Sequence, residues 1–400
     1  MLDVRVLLAP DSFGSSLSPA AAAAAMAAGW RTGAPHDELD VCPLADGGPG
    51  FLETVHAALG GERLPVVVPG PLGDPVPATV LLVGGTGGGP ATAYVEAAQA
   101  VGLALVAPER RDPGVTTSVG LGVLLAAARA TGASRVVVGL GGSATNDAGA
   151  GALVGLGLAD PSGRLAAGGD ALTAATADDL IGLADLRAQW AGIELVVACD
   201  VDVPLLGLQG ASAGFAPQKG ATPEQAQRLE GALARFARLA VAALGDAARP
   251  DLLTGRTAEA RWTAAPGAGA AGGLGFGLTL LGGRLVPGAT LVADVVGLDA
   301  RIAASDLVVT GEGRFDWQSL HGKVVSEVAA RALPLAVPAV VVAGEVLLGR
   351  REQAAAGLAG AYAVADTPDG VRDALADPAG SLAARVAAVA RTWSPGLVVP

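Results

Sequence analysis

Residues 305–346 read SDLVVTGEGRFDWQSLHGKVVSEVAARALPLAVPAVVVAGEV. A short apolar run enters a glycine-bearing polar loop, a helix-like stretch follows, and a second apolar run closes the segment. Runs of this length bounded by turn residues read as buried strands, and two strands joined through a helix must lie parallel. The N-terminus has the same grammar. VRVLLAPDSF (4–13) is a buried-type strand, Ser18 and Pro19 supply an N-cap and a first helical residue, and Ala20–Ala28 form an alanine-rich helix that Gly29 is expected to end or follow. LDVCPL (39–44) is the next strand and Phe51 to Leu59 the next helix.

The middle of the chain differs. From Glu62 the stretch RLPVVVPGPLGDPVPATVLLVGG (63–85) gives short strands punctuated by Pro and Gly, with no room for crossover helices. Strand and helix alternation resumes after it, with a long polar-faced helix from Pro223 to about Leu244 capped by Thr222. The expected fold class is therefore α/β with two domains: a Rossmann-like parallel-sheet domain formed by both chain ends (1–65 and 295–400) and an inserted mixed α/β domain (66–294). The competing arrangement is two consecutive domains dividing near residue 190.

Composition narrows the function classes. Four hundred residues exceed what one core usually serves. The mean hydropathy of +0.50 raises the question of a membrane span. The longest uncharged run, Trp262–Gly283, carries eight glycines and a proline, so no transmembrane helix is expected. The N-terminus shows no signal-peptide pattern, and a cytoplasmic location is the expectation. Cys42 and Cys199 lie far apart in apolar runs and are expected as buried free thiols, not a disulfide. A net charge of -12 disfavours nucleic acid and anionic membranes as partners. A small anionic substrate would need a locally positive or metal-bearing pocket. Among 26 basic residues only Lys219 and Lys323 are lysines, which marks both as candidates for a compact ammonium near an anion.

In open parallel sheets ligands bind beyond the carboxyl ends of the strands. Acidic residues follow strand-like runs there repeatedly: Asp11, Asp46, the pair Asp200 and Asp202, and Glu312 with Asp316. Beside them run glycine-rich loops. GLGGSATNDAGAG (139–151) can bring backbone N–H groups to a phosphate, with Ser143, Thr145 and Asn146 as added side-chain donors, or can be a tight structural turn. It fits neither the Walker nor the dinucleotide pattern. TTSVGLG (116–122) is a similar hydroxyl-rich helix entry, also explicable as capping, and PGAGAAGGLGFG (266–277) reads equally as a hinge or a phosphate cradle. His36, His56 and His321 lack metal-ligand spacing, and only His321, beside Lys323, is placed to meet a ligand. Carboxylates, glycine loops and isolated lysines together suit phosphoryl transfer.

APDSFGSSLSP (9–19), PLADGGPG (43–50), TTSVGLG (116–122), VGLGGSATNDAGAGAL (138–153), VACDVDVPLLG (197–207), GFAPQKGATPE (214–224) and SDLVVTGEGRFDWQSLHGKV (305–324) resemble, in order, the motifs of the bacterial type I glycerate kinase family. The resemblance runs from residue 8 to about 345. It implies an ATP- and Mg²⁺-dependent kinase of D-glycerate, two α/β domains with the active site in a cleft, and 2-phosphoglycerate as product in preference to 3-phosphoglycerate. It carries over catalytic candidates Asp200, Asp202, Asp316 and Asp46, with Asp200 and Asp202 also as Mg²⁺ ligands. Substrate and phosphate contacts are expected from Asp11, Ser12, Gly141, Gly142, Ser143, Asn146, Lys219, Glu312, Arg314 and Lys323. The sequence also departs from the pattern. Gly14 and Ser15 stand where the family has Lys-Gly, Pro49 where it has Glu, Val203 where it has Asn, Val119 and Leu121 alter the TTSYGTG form, and Val325 replaces a Pro. A repurposed or non-catalytic homologue binding a hydroxy acid or nucleotide is the alternative that these departures leave open.

Overall fold

The computed structural model describes residues 4–85, 89–248, 255–320 and 322–394. The chain divides into two compact units, one comprising Met1–Asp46, Glu53–Leu59 and Gly288–Pro400, the other Gly47–Leu52 and Gly60–Pro287. The described strands are β1 (Arg5–Pro10), β2 (Glu38–Val41), β3 (Glu62–Pro69), β4 (Pro75–Val83), β5 (Thr92–Glu96), β6 (Arg135–Gly139), β7 (Glu194–Ala198), β8 (Arg284–Val286), β9 (Leu307–Phe315), β10 (Ala339–Val346) and β11 (Gly360–Ala363).

In the first unit the sheet order is β11-β10-β9-β1-β2, and every pairing is parallel. Counted within the unit, this is the 2-1-3-4-5 order of flavodoxin-like sheets, whose topological switch point falls between the first and third strands, here β1 and β9. The central strands are Val- and Leu-rich because helices cover both faces. Val6, Leu8, Val309, Val340 and Val342 pack on one face against Met26, Trp30, Val386 and Ala390 of the helices Pro19–Gly33 and Pro378–Trp393.

The first helix starts as its sequence predicts, with Ser18 Oγ accepting from the amide of Ala21 and Pro19 at its first position. It does not end at Gly29 but continues to Gly33. A Cβ at Gly29 would strike the carbonyl of Ala383, and one at Gly33 the carbonyl of Ala387. These glycines serve helix-to-helix approach, not termination. Strand β9 also differs from the expectation. It runs on through Glu312 to Phe315, since β10 continues beside it and pairs Ala343 with Glu312 and Val346 with Phe315. Glu312 is thus inside the strand and only Asp316 follows it.

The second unit holds a mixed sheet in the order β3-β4-β5-β6-β7-β8. Its first two pairings are antiparallel and the other three parallel. The helix Pro223–Ala243 buries Leu229, Leu233, Phe236 and Ala240, and its cap Thr222 accepts from the amide of Gln225. Cys42 and Cys199 are buried and unbridged. Desolvation pushes their thiols up to about 11 and about 12. Among the described residues no helix is long and apolar enough to cross a membrane.

Candidate functional site

The switch point of the first sheet collects four of the expected carboxylates. Asp11 leaves the end of β1, where its amide donates to the carbonyl of Gly311, and Glu312 is the next residue of β9. Asp11 is held well above the ordinary carboxylate range, first by burial and then by Asp46 and Glu312, against the Ser12 amide and Lys323. The Ser12 N–H donates to Asp11 Oδ1 at 2.6 Å. Burial is also the main cause that pushes Glu312 up to about 7, aided by Asp316 and Asp46 and opposed by the Ser319 hydroxyl and Lys323. Glu312 Oε1 is buried without a hydrogen-bond partner.

Asp316 is turned into a local cap. Its Oδ1 accepts from the Gln318 amide at 2.8 Å, and its own amide donates to Ser319 Oγ at 3.1 Å. Lys323, half-buried, stands at the N-terminus of the helix Val324–Ala332. Arg314 projects outward and pairs with Glu345 at 3.0 Å. The structure thus brings Asp11, Ser12, Asp46, Glu312, Asp316 and Lys323 together in one unit, a group rich in carboxyls, two of them held towards the protonated form, with one nearby ammonium. His321 lies outside the described residues.

In the second unit, the glycine loop between β6 and the helix Ala150–Gly155 is organised from inside. Lys219 is almost wholly buried, and its Nζ donates to Ser143 Oγ at 2.9 Å and to the Thr145 carbonyl at 2.6 Å. Desolvation brings its ammonium down to about 7, with Asp147 acting in the opposite direction. Asn146 is also fully buried, and its Nδ2 donates to Ser212 Oγ at 3.0 Å. Asn146 Oδ1 and Thr145 Oγ1 are buried with no protein partner. Gly142 takes a left-handed φ of +62° beside Pro49, and a Cβ at Gly141 would collide with Gly48 Cα, so both positions require glycine. The segment 266–277 is packed against this loop: a Cβ at Gly272 would strike the Thr145 carbonyl, and one at Gly277 would come within 2.6 Å of that of Ala148.

Sequence reading passed over Asp147, which governs the loop. Fully buried, it accepts from the Ser118 amide at 2.9 Å, Ser118 Oγ at 2.8 Å, and the amides of Gly149 and Gly151 at 3.0 and 3.3 Å. The hydroxyls of TTSVGLG are spent in the same way, since Thr116 Oγ1 donates to the Ala144 carbonyl at 2.9 Å. The available signal was an Asp three residues before a helix, where short acids bond to backbone amides. Asp200 and Asp202 follow β7, half-buried and exposed respectively, and both act on the Cys199 thiol by their charge. Among the described residues no group of three or more His, Cys, Asp or Glu is disposed to hold a metal ion.

Comparison with known proteins gives a consistent result. The family model described as Glycerate kinase family matches residues 6–394. A glycerate kinase of Bacillus subtilis is 42% identical over 347 residues, covering 86% of this chain and 85% of its own. The glycerate 2-kinase of Escherichia coli is 40% identical over 345 residues, 85% of each chain. A solved structure of a glycerate kinase 2 from Salmonella typhimurium LT2 superposes with a TM-score of 0.73 at 38% identity, covering 98% of both chains.

Proposed function

Because this chain belongs to the glycerate kinase family, we propose that it transfers the γ-phosphoryl group of ATP to a hydroxyl of D-glycerate, giving 2-phosphoglycerate and ADP. The observation that carries the reading is the convergence of Asp11, Asp46, Glu312, Asp316 and Lys323 at the β1/β9 switch point, where α/β sheets bind their ligands.

In the reaction the C2 hydroxyl oxygen attacks the γ-phosphorus, the bond to the β,γ-bridging oxygen breaks, and the hydroxyl proton passes to a carboxylate. Asp200, Asp202, Asp316 and Asp46 are the acids assigned to orienting that hydroxyl and taking its proton. Positioning and charge neutralisation carry most of the catalysis in phosphoryl transfer. The amides of Gly141 and Gly142 are assigned to phosphate oxygens. Ser143 and Asn146 are assigned to the same loop's ligand contacts, with Lys219 bracing it from beneath. Ser12 and Lys323 are assigned to anionic groups of the substrates, as is Arg314 once it leaves its exposed pair with Glu345.

Mg²⁺ suits this donor set. It characteristically binds one or two carboxylates and completes its shell with water and phosphate oxygens, so it needs no all-protein cage. Asp200 and Asp202 are the residues that would hold it, and when bound it would offset charge on the triphosphate. The net charge of -12 makes such local screening necessary. ADP release from Mg-ATP with and without D-glycerate tests the reading, and the absence of any glycerate-dependent release would overturn it. Product analysis by ³¹P NMR is expected to show the 2-phosphate ester.

A further inference from the structure

The first unit contains a cavity of about 180 Å³ at the end of its sheet, lined by Gly313 of β9 and by Gly344 and Glu345 of β10. Its lining is mostly apolar, with Phe13, Leu17, Val364, Val371 and Leu382, and it also takes in Gly313, Gly344 and two polar residues, Ser16 and Glu345. Successive residues of a strand point to opposite faces. Glu312 therefore faces the group of Asp11 and Lys323, while position 313 faces the cavity. We infer that this cavity receives the adenine ring of ATP, so that the nucleotide lies across the carboxyl edge of the sheet with its phosphates towards Glu312 and Lys323.

Three observations carry the assignment, which rests on the reading of the protein as an ATP-dependent kinase. First, the mostly apolar lining, with the Glu345 carboxylate as its one charge, suits a base better than the anionic glycerate. Glycerate bears oxygen on every carbon and has no apolar face, whereas a purine is a flat ring system that an aromatic and aliphatic slot can hold. Second, the size fits a part of a ligand: drug-sized molecules occupy roughly 300–1,000 Å³, and this space is smaller, as a base site should be when the ribose and phosphates lie outside it. Third, the strand edge beside the cavity is low at two glycines, with Glu345 as the charged side chain next to them. A Cβ at Gly344 would strike the Gly313 carbonyl, and Gly14, on the loop after β1, is exposed with open space around it. The cavity thus opens beyond the ends of β1, β9, β10 and β11, next to the switch point.

The wild-type protein can be photolabelled with 8-azido-ATP in the absence of glycerate and the modified peptides mapped. Label is expected on segments 13–17 or 364–382, and excess ADP should suppress it. Label confined to other peptides would overturn the inference. Independently, Ala374→Trp places a large ring into the cavity from the half-exposed helix Pro368–Ala376. With an unchanged melting temperature, it should weaken ADP binding by at least about tenfold in calorimetry while leaving the Kd for D-glycerate unaltered. A folded variant that binds ADP like the wild type would refute the assignment. Specific labelling of the cavity without glycerate-dependent ADP release would uphold the base site while removing the proposed kinase reaction.

Discussion

Asp200 and Asp316 are the residues whose chemistry is most open to direct trial. Asp200→Asn and Asp316→Asn should each lower kcat by at least about 10²-fold if the carboxylate acts in the transition state. Near-normal turnover in a folded variant would remove that residue from the mechanism. Glu312 leaves a trace in stability as well. A carboxyl whose pKa is higher in the folded than in the unfolded chain retains its proton longer in the folded state, so the stability it contributes is lost as pH rises between the two values. For Glu312 that interval runs from its ordinary 4.5 to about 7. Glu312→Gln lacks this titration, so its melting temperature should gain on the wild type across that interval and the difference should level off above it. A difference independent of pH would contradict the burial argument. Gly14 offers the reverse trial. It holds a φ of +58° with nothing within 4 Å of a built Cβ, so Gly14→Lys has room but incurs about 1–2 kcal/mol of left-handed strain. Denaturant titration should register that loss, and kinetics should show a lower KM for ATP or D-glycerate if the absent cation limits binding.

At the scale of elements, glycine acts through close backbone approach as well as through turning. Gly29→Val would drive a branched side chain into the carbonyl of Ala383 and push apart the helices Pro19–Gly33 and Pro378–Trp393. Overpacking of this kind costs about 1–3 kcal/mol, and a thermal melt should show a drop of several degrees. Here the limits of sequence reading have a physical source. Ser18-Pro19 and Thr222-Pro223 announced their helices correctly because capping is decided within four residues. Gly29 misled because its partner lies some 350 positions away in the chain. The same contrast holds at the candidate site. The carboxylates around β1 and β9 were legible as acids next to apolar runs, although β9 extends past Glu312 because β10 supports it. The burial of Lys219 and the command of Asp147 over the glycine loop were not legible. Both depend on segments 29 to 76 residues apart meeting in one interior.

For the molecule as a whole, the feature with the widest consequence is the pairing of β1 with β9, which sets Val6 beside Leu307. A ribosome delivers β1 roughly 15–60 s before β9, taking about 300 residues at about 5–20 residues per second. Throughout that delay an apolar strand destined for the centre of a sheet has only β2 at its side, and its other edge is an open template for mispairing. The segment Gly60–Pro287, by contrast, is fully synthesised before β9 begins. Stalled nascent chains from which residue 300 has just emerged should therefore show a protease-resistant core from that segment while residues 1–46 are cut, and resistance of the N-terminus should appear only after β9 and β10 have emerged. Early protection of residues 1–46 would show that another partner shelters β1 during synthesis. By this order of events, the last hundred residues made would decide whether the first forty reach their native place or become the seed of an aggregate.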